Sequence, residues 1–341
     1  MRYKLLGHSG LRVSELCLGT MTFGTEWGWG ADEAICRQLF EEYVAAGGNF
    51  IDTANNYTNG ASENIVGRLI ADRREQFVVA TKYTLRMANG NPANYNEGGN
   101  SRKSMRAAVE ASLRRLNTDY IDLLYLHMWD FTTPVDEVMR GMDDLVRSGK
   151  VLYTGFSDTP SWVITYAIGL AERYGWPRPG ATQLPYSLLD RGAERDLIPM
   201  ARTFDLAVCA WGLLEGGALT GKYNQTSAEP KRYQDASPRE KETAAVLLAL
   251  TAELGYTPAQ IAINWVRQQG VHIVPILGVR TAAQLHDNLA VLDFRLSAQQ
   301  LAELERVSGF DLGFPLSFLT SDHVRGLIFG QSFAQIDNHR G

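Results

Sequence analysis

The chain has 341 residues, of which 45% are hydrophobic and 21% charged, and a net charge of −5; this is the composition of an ordinary globular protein, and it has no basic stripe of the kind that makes nucleic acid a main partner. No apolar run approaches the roughly 18 to 20 residues of a membrane-spanning helix, and Met1-Arg2-Tyr3-Lys4-Leu5-Leu6-Gly7 lacks a signal-peptide apolar core of roughly 7 to 15 residues, so a cytoplasmic location is expected. Cys17, Cys36 and Cys209 are odd in number, lie in apolar contexts and have no metal-ligand spacing, so they read as reduced core thiols with no metal site implied.

In chain order, residues 1–13 read as a hairpin that turns at Gly7-His8-Ser9-Gly10. A regular alternation follows. Leu16-Cys17-Leu18 is a predicted strand ending at Gly19-Thr20-Met21, residues 32–46 a helix, Phe50-Ile51 the second strand and residues 62–70 the second helix. Phe77 to Ala80 is the third strand, ending at Thr81-Lys82, and a Gly- and Asn-rich loop leads into a helix over residues 101–116. Ile121 to Leu126 ends at His127, and Pro134 suits the first turn of a helix that stops before Gly149. Val151 to Phe156 ends at Ser157-Asp158. A helix over residues 161–174, a short strand at Ala181 to Gln183, a helix over 195–204 and a strand at Leu206 to Ala210 carry the rhythm to Trp211-Gly212. A long polar segment, 222–241, precedes helices over about 242–254 and 258–269. Val271 to Ile276 is the eighth strand, followed by Gly278-Val279-Arg280 and helices over 281–289 and 297–308. From Gly309 no period is evident.

Eight strands alternating with helices specify a parallel sheet, either an open doubly wound sheet or a closed (β/α)8 barrel. The barrel is preferred because polar or Gly-rich residues follow every strand: Gly19, Asp52, Lys82, His127, Ser157, Gln183, Trp211 and Arg280. In a barrel these lie around one mouth, where barrel enzymes place their active sites. One domain over residues 1–341 is expected, an α/β TIM barrel with an N-terminal β-hairpin and extra C-terminal helices, and 309–341 forming a tail.

Asp52, Tyr57, Lys82 and His127 come from the ends of the second, third and fourth strands. Neighbouring strands lie about 4.8 Å apart, which brings these side chains within one cluster. Singly they read as a turn aspartate, a half-buried tyrosine, a surface lysine and a satisfied core histidine; jointly they make a proton donor. A free phenol, with a pKa of about 10, is too weak an acid to protonate a nascent alkoxide readily. An ammonium about 4 Å from the phenolate contributes roughly 4 kcal/mol at an effective dielectric near 20, which would bring Tyr57 toward neutrality. Asp52 would hold Lys82 charged and in place, and His127 would hydrogen-bond a carbonyl oxygen.

These residues carry a resemblance. The chain resembles the aldo-keto reductases through Asp52-Thr53-Ala54 to Tyr57, Ala80-Thr81-Lys82, Asp122-Leu123-Leu124-Tyr125-Leu126-His127, the Gly149-Lys150-Val151 to Ser157 segment, Gly221-Lys222-Tyr223 and Gly278 to Asn288, over roughly residues 1–308. Tyr125-Leu126-His127-Met128-Trp129-Asp130 and Phe156-Ser157-Asp158-Thr159-Pro160 most resemble the branch that includes aryl-alcohol dehydrogenases. The resemblance implies hydride transfer between NADPH and an aldehyde or ketone, with the phenol as general acid and the cofactor held without a Rossmann motif. No strand here is followed by Gly-x-Gly-x-x-Gly. The same family includes potassium-channel β subunits, so a non-catalytic NADPH-binding regulatory or partner-binding protein is the alternative.

The resemblance also implies cofactor positions. Gly19, Thr20 and Met21 match the nicotinamide-ribose segment, Ser157, Asp158 and Gln183 the carboxamide contacts, and Trp211 the aromatic on which the nicotinamide stacks. Gly212, Leu213 and Leu214 follow as the pyrophosphate loop, where many relatives have Ser-Pro-Leu; Asp158 departs from the common Asn or Arg. Gly278 and Arg280 open the last barrel helix, where a helix N-terminus and a guanidinium can hold a 2′-phosphate, and Gln284 and Asn288 match adenine contacts. Gly216-Gly217-Ala218-Leu219-Thr220-Gly221-Lys222 looks like a P-loop, but Tyr223 replaces its magnesium-binding hydroxyl. Gly216 and Lys222 are expected to touch a dinucleotide pyrophosphate instead, with Arg232 reaching it from the long segment. Trp27, Trp29, Tyr83, Met128, Trp129 and, from the tail, Phe314, Phe318 and Leu319 are expected to form an aromatic rim suited to a bulky or aromatic carbonyl.

Overall fold

The computed structural model describes residues 1–220 and 237–337; Lys222 and Arg232, expected at the pyrophosphate, lie outside the described residues. Two antiparallel strands, β1 (Tyr3–Leu5) and β2 (Arg12–Ser14), form the N-terminal hairpin. Eight parallel strands then close into a barrel: β3 (Cys17–Gly19), β4 (Phe50–Asp52), β5 (Val78–Tyr83), β6 (Ile121–Leu126), β7 (Val151–Ser157), β8 (Ala181–Pro185), β9 (Ala207–Trp211) and β10 (Ile273–Gly278), with β10 pairing to both β9 and β3. This is the expected (β/α)8 barrel.

The surrounding helices are α1 (Glu33–Ala45), α2 (Ala61–Ile70), α3 (Arg102–Leu116), α4 (Val135–Arg147), α5 (Ser161–Tyr174), α6 (Leu197–Thr203), α7 (Pro238–Leu254), α8 (Pro258–Arg267), α9 (Ala282–Leu289) and α10 (Ala298–Ser308). Helices α7, α8 and α10 each begin with a capping box, Ser237 with Glu240, Thr257 with Gln260 and Ser297 with Gln300, which satisfies backbone N–H groups that an uncapped first turn leaves bare. Among the described residues no single helix is long and apolar enough to cross a membrane.

Two cores follow from the period-two alternation of the strands. Cys17, Phe50, Val78, Ala80, Leu123, Tyr125, Ala181, Ala207, Cys209, Val274 and Ile276 fill the barrel interior, and Leu6 and Val13 of the hairpin region join them. The intervening strand residues, including Val79, Tyr83 and Leu124, pack outward against the helices. All three cysteines are buried and free, as expected. Gly19 is required where β3 meets β10, because a Cβ there would lie 2.8 Å from Ile276 Cγ2.

The strands run further toward the mouth than their apolar runs suggest. Strand β5 continues to Tyr83 because Lys82 and Tyr83 still pair with Tyr125 and Leu126 of β6, and β9 continues to Trp211 by pairing with Pro185. Conversely, β10 starts at Ile273 rather than Val271, which is exposed. The tail contains two short helices, α11 (Leu316–Leu319) and α12 (Asp322–Phe329). Only Val324 of α12 is buried, so that helix leaves little periodic trace in the sequence.

Candidate active site

Asp52, Tyr57, Lys82 and His127 all stand at the same end of the barrel. Asp52 is the last residue of β4 and Lys82 the penultimate residue of β5, in line with Val78 and Ala80, so the pleat aims its chain into the barrel. Tyr57 starts a tight turn in which Thr58 and Asn59 adopt φ values of 45° and 54°. A β-branched residue in that region is strained, by about 1–3 kcal/mol. The turn is held by Thr58 Oγ1, which donates to the Phe23 carbonyl at 2.6 Å and accepts from Ser62 N–H at 3.0 Å.

Lys82 Nζ donates to Asp52 Oδ2 at 2.6 Å, to the Thr53 carbonyl at 2.8 Å and to the Tyr57 hydroxyl at 3.2 Å. An ammonium has three donors, and all three are used. The second Asp52 oxygen accepts from Gln183 Nε2 at 2.8 Å. His127 lies beyond, its ring perpendicular to Tyr57 with centroids 6.0 Å apart; its Nδ1 is enclosed and has no hydrogen-bond partner among the described residues.

Burial alone would push the Lys82 ammonium down, but the charge of Asp52, then Tyr57, and their hydrogen bonds together hold it above the ordinary lysine value. The Tyr57 phenol goes up, first because it is taken out of water; Lys82 pulls it down, and Asp52 offsets part of that pull. This corrects the expectation that Lys82 brings the phenol toward neutrality: desolvation of the phenolate outweighs one ammonium. His127 is lowered to about 3 by burial and then by Lys82, so its imidazole is neutral at physiological pH.

The other strand ends frame this cluster. Trp211 ends β9, the residue 41% exposed, and its Nε1 donates to Asp158 Oδ1 at 3.3 Å. Burial raises the Asp158 carboxyl to about 6 against the Trp211 hydrogen bond and Lys82. Ser157 and Gln183 are buried beside it and Met21 is exposed. Thr20 is buried, its hydroxyl donating to the Asp52 carbonyl at 2.9 Å. Gly212 (φ 74°) and Gly216 (φ 58°) bend the chain after β9, while the Leu213 side chain packs into the core and Leu214 is half-buried. At the end of β10 a Cβ on Gly278 would meet nothing within 4 Å, so the space there is open. Arg280 is exposed just before α9, its N–H donating to Gln284 Oε1 at 2.8 Å, and Asn288 is buried one turn beyond Gln284.

The expected aromatic rim is only partly present. Trp27 packs on Tyr57 and Trp29, with centroids 6.5 and 5.6 Å apart, and Met128 is exposed. Tyr83 and Trp129 instead lie in the core between barrel and helices. For Tyr83 the reason is the pleat, since the alternation that turns Lys82 inward turns its neighbour outward. The root of the tail is held by Arg195, which donates to the Asp311 and Leu312 carbonyls, while Phe314, Phe318 and Leu319 are exposed.

The model of the aldo/keto reductase family matches residues 15–308. The chain belongs to this family. A norsolorinic acid reductase of Aspergillus flavus is 37% identical over 322 residues, covering 92% of this chain and 83% of the relative. An aryl-alcohol dehydrogenase of Pestalotiopsis microspora is 36% identical, covering 93% and 85%, and an aldo-keto reductase of Aspergillus calidoustus is 35% identical, covering 94% and 85%. This aldo/keto reductase is therefore an oxidoreductase of carbonyl and alcohol groups that works with a nicotinamide cofactor.

Several pairings that brace the site of this aldo/keto reductase left no local signal in the sequence, although Gln183 itself was expected at the mouth. Gln183 is a partner of Asp52 across the barrel, 131 positions away. Asn100, fully buried, accepts from Thr84 Oγ1 at 2.7 Å, donates through Nδ2 to the Met128 carbonyl at 3.1 Å, and donates its backbone N–H to Asp130 Oδ2 at 2.7 Å. Thr84 in turn accepts from the His127 N–H at 3.2 Å. Only a run of Asn and Gly marked that loop, and pairing across separate loops cannot be read from spacing.

Proposed function

We propose that this chain is an NADPH-dependent reductase of bulky or aromatic aldehydes or ketones, reversible toward alcohol oxidation, with Tyr57 as general acid and base. The observation that carries the reading is the single ammonium of Lys82 shared between Asp52 Oδ2 and the Tyr57 hydroxyl at one barrel mouth. A nicotinamide fits the residues present: a half-exposed indole fixed by Asp158, with polar side chains at the end of β7 and within β8. Ser157, Asp158, Gln183, Trp211, the Gly19–Met21 segment and the Gly212–Gly216 turn would hold the nicotinamide half. Arg280, Gln284 and Asn288 would hold the adenosine half and its 2′-phosphate, with Gly278 leaving room for the approach.

When bound, the nicotinamide supplies or takes up the hydride. In reduction Tyr57 gives its proton to the oxygen of the substrate as that oxygen becomes an alkoxide, and the phenolate left behind is stabilised by Lys82. The raised phenol pKa keeps the proton in place for this donation. Neutral His127, with its proton on Nε2 rather than on the enclosed Nδ1, donates a hydrogen bond to the same oxygen and orients it. In the reverse direction the Tyr57 phenolate takes the alcohol proton, which favours alkaline pH. Trp27, Trp29 and Met128 offer apolar surface and no charge for a small anionic substrate.

The test is a panel of aryl aldehydes, polycyclic ketones, aryl alcohols and small anionic carbonyls with purified protein, followed by NADPH absorbance in both directions. Turnover of aromatic carbonyls with preference over glyoxylate supports the reading. Tight cofactor binding with no turnover across the panel would contradict it.

A further inference from the structure

The charges around the mouth do not cancel. Lys82 is matched by Asp52, His127 is neutral above about 3, and the Tyr57 phenol keeps its proton. Within this cluster of described residues, Asp158 therefore leaves one negative charge in excess at neutral pH. Its position is fixed on three sides: the Asp158 N–H donates to the Gln183 carbonyl at 3.1 Å, its carbonyl accepts from Trp129 N–H at 3.4 Å, and Oδ1 accepts from Trp211 Nε1 at 3.3 Å. A φ of 41° completes the setting. The carboxylate is thus held against the edge of the half-exposed Trp211 indole.

We infer that Asp158 makes this site prefer an oxidised, cationic nicotinamide over the reduced, neutral form, which tilts the bound cofactor toward alcohol oxidation. This rests on the function proposed above and gives it a direction. The two redox forms share their phosphates, riboses and carboxamide, so most contacts treat them alike. What differs is the charge of the ring, and a fixed anion beside the stacking surface acts on that difference alone. With both the Lys82–Asp52 pair and Asp158 in place, a cationic ring brings this cluster to neutrality; without the Asp158 charge it would leave the cluster positive. A unit charge pair roughly 6 Å apart at an effective dielectric near 20 alters the ratio of the two affinities by on the order of a hundredfold, and solvent at a half-exposed site reduces this to about tenfold. A tenfold change moves the potential of the bound two-electron couple by about 30 mV.

The titration of the site isolates this effect. Among the described residues, the groups that act on or with Asp158 are Lys82 from β5 with its partner Asp52 from β4, and the Tyr57 phenol, on which His127 packs from beyond β6; Gln183 and Trp211 carry no charge. Lys82 and Tyr57 are raised and His127 is lowered, so across pH 5 to 8 these three keep their protonation while Asp158, near 6, changes. Any 2′-phosphate titration is common to both redox forms and drops out of the ratio.

The experiment measures Kd for NADP+ and for NADPH by tryptophan quenching or calorimetry, with wild type and Asp158→Asn at pH 8 and wild type again at pH 5. Asn has the same shape and tolerates a positive φ, so the hydrogen bond from Trp211 can persist without the charge. The expected result is that relative affinity for NADP+ falls about tenfold in Asp158→Asn, and that wild type at pH 5 moves the same way. Equal ratios in wild type and Asp158→Asn at pH 8 would overturn the inference while leaving the cofactor assignment standing. If Asp158→Asn does not fold, the wild-type pH series decides, and a ratio unchanged from pH 8 to 5 overturns it. Failure of wild type to bind either form would remove the cofactor assignment and this inference with it.

Discussion

Lys82 Nζ lies 2.6 Å from Asp52 Oδ2, and the two side chains are 0% and 5% exposed. An ion pair this enclosed is weak evidence for stability in itself, yet breaking it from one side is costly because the remaining charge stays buried. Lys82→Met is expected to lower stability by about 3–5 kcal/mol, and Lys82→Met/Asp52→Leu to be more stable than Lys82→Met alone. Urea unfolding of the three proteins checks this; a double variant no more stable than the single one would mean that Asp52 is satisfied by Gln183 without Lys82.

His127 makes an acid-side contribution with a definite sign. Its folded value of about 3 lies below the usual histidine value, so the unfolded chain binds the extra proton, and stability is lost as pH falls from about 6.5 toward 3. Between pH 8 and pH 5 wild type should lose about 2 kcal/mol more than His127→Gln. Urea midpoints of both proteins at the two pH values measure the difference. A parallel loss in both would place the His127 value near that of an exposed histidine.

Asn100 is expected to position His127 without touching substrate. Asn100→Ala removes the bridge between Thr84 and the Met128 carbonyl, costing about 1–3 kcal/mol for the buried groups left unpaired. The kcat for carbonyl reduction should fall while the Kd for NADPH is unchanged, and Asn100→Asp, which keeps the acceptor for Thr84, should recover part of it. Loss of cofactor affinity in step with kcat would instead mean a general loosening of the mouth.

Arg280 is proposed to set the choice between phosphorylated and unphosphorylated cofactor. Arg280→Ala should weaken NADPH by about 1.5–3 kcal/mol, as for a hydrogen bond to a charged group, and leave NADH almost untouched. Calorimetric Kd values for the two cofactors test it, and equal losses would show that Arg280 does not read the 2′-phosphate.

Much of this geometry was legible because a parallel barrel converts sequence order into spatial order. Each predicted strand end became a point on one rim, so Asp52, Lys82 and His127 converge although they are spread over 76 positions from Asp52 to His127. What was not legible depended on direction or on balance. Tyr83 was expected at the rim although its own strand register turns it away from Lys82. The phenol of Tyr57 was expected to be made more acidic by Lys82, but sequence shows neighbours and not burial, and burial sets the sign. Gln183 on Asp52 is a pairing between opposite strands of the barrel, and Asn100 on Thr84 joins the two ends of one loop, with no period or spacing to announce either.

The central claim is that the Tyr57 hydroxyl, poised 3.2 Å from Lys82 Nζ, transfers the proton. Tyr57→Phe removes that hydroxyl and keeps the ring that packs on Trp27 and His127. The direct measurement is kcat for reduction of the best aryl carbonyl, alongside the Kd for NADPH, in wild type and Tyr57→Phe. The kcat should fall by on the order of 10²- to 10⁴-fold with the Kd essentially unchanged; turnover by Tyr57→Phe at the wild-type rate would contradict proton transfer by Tyr57.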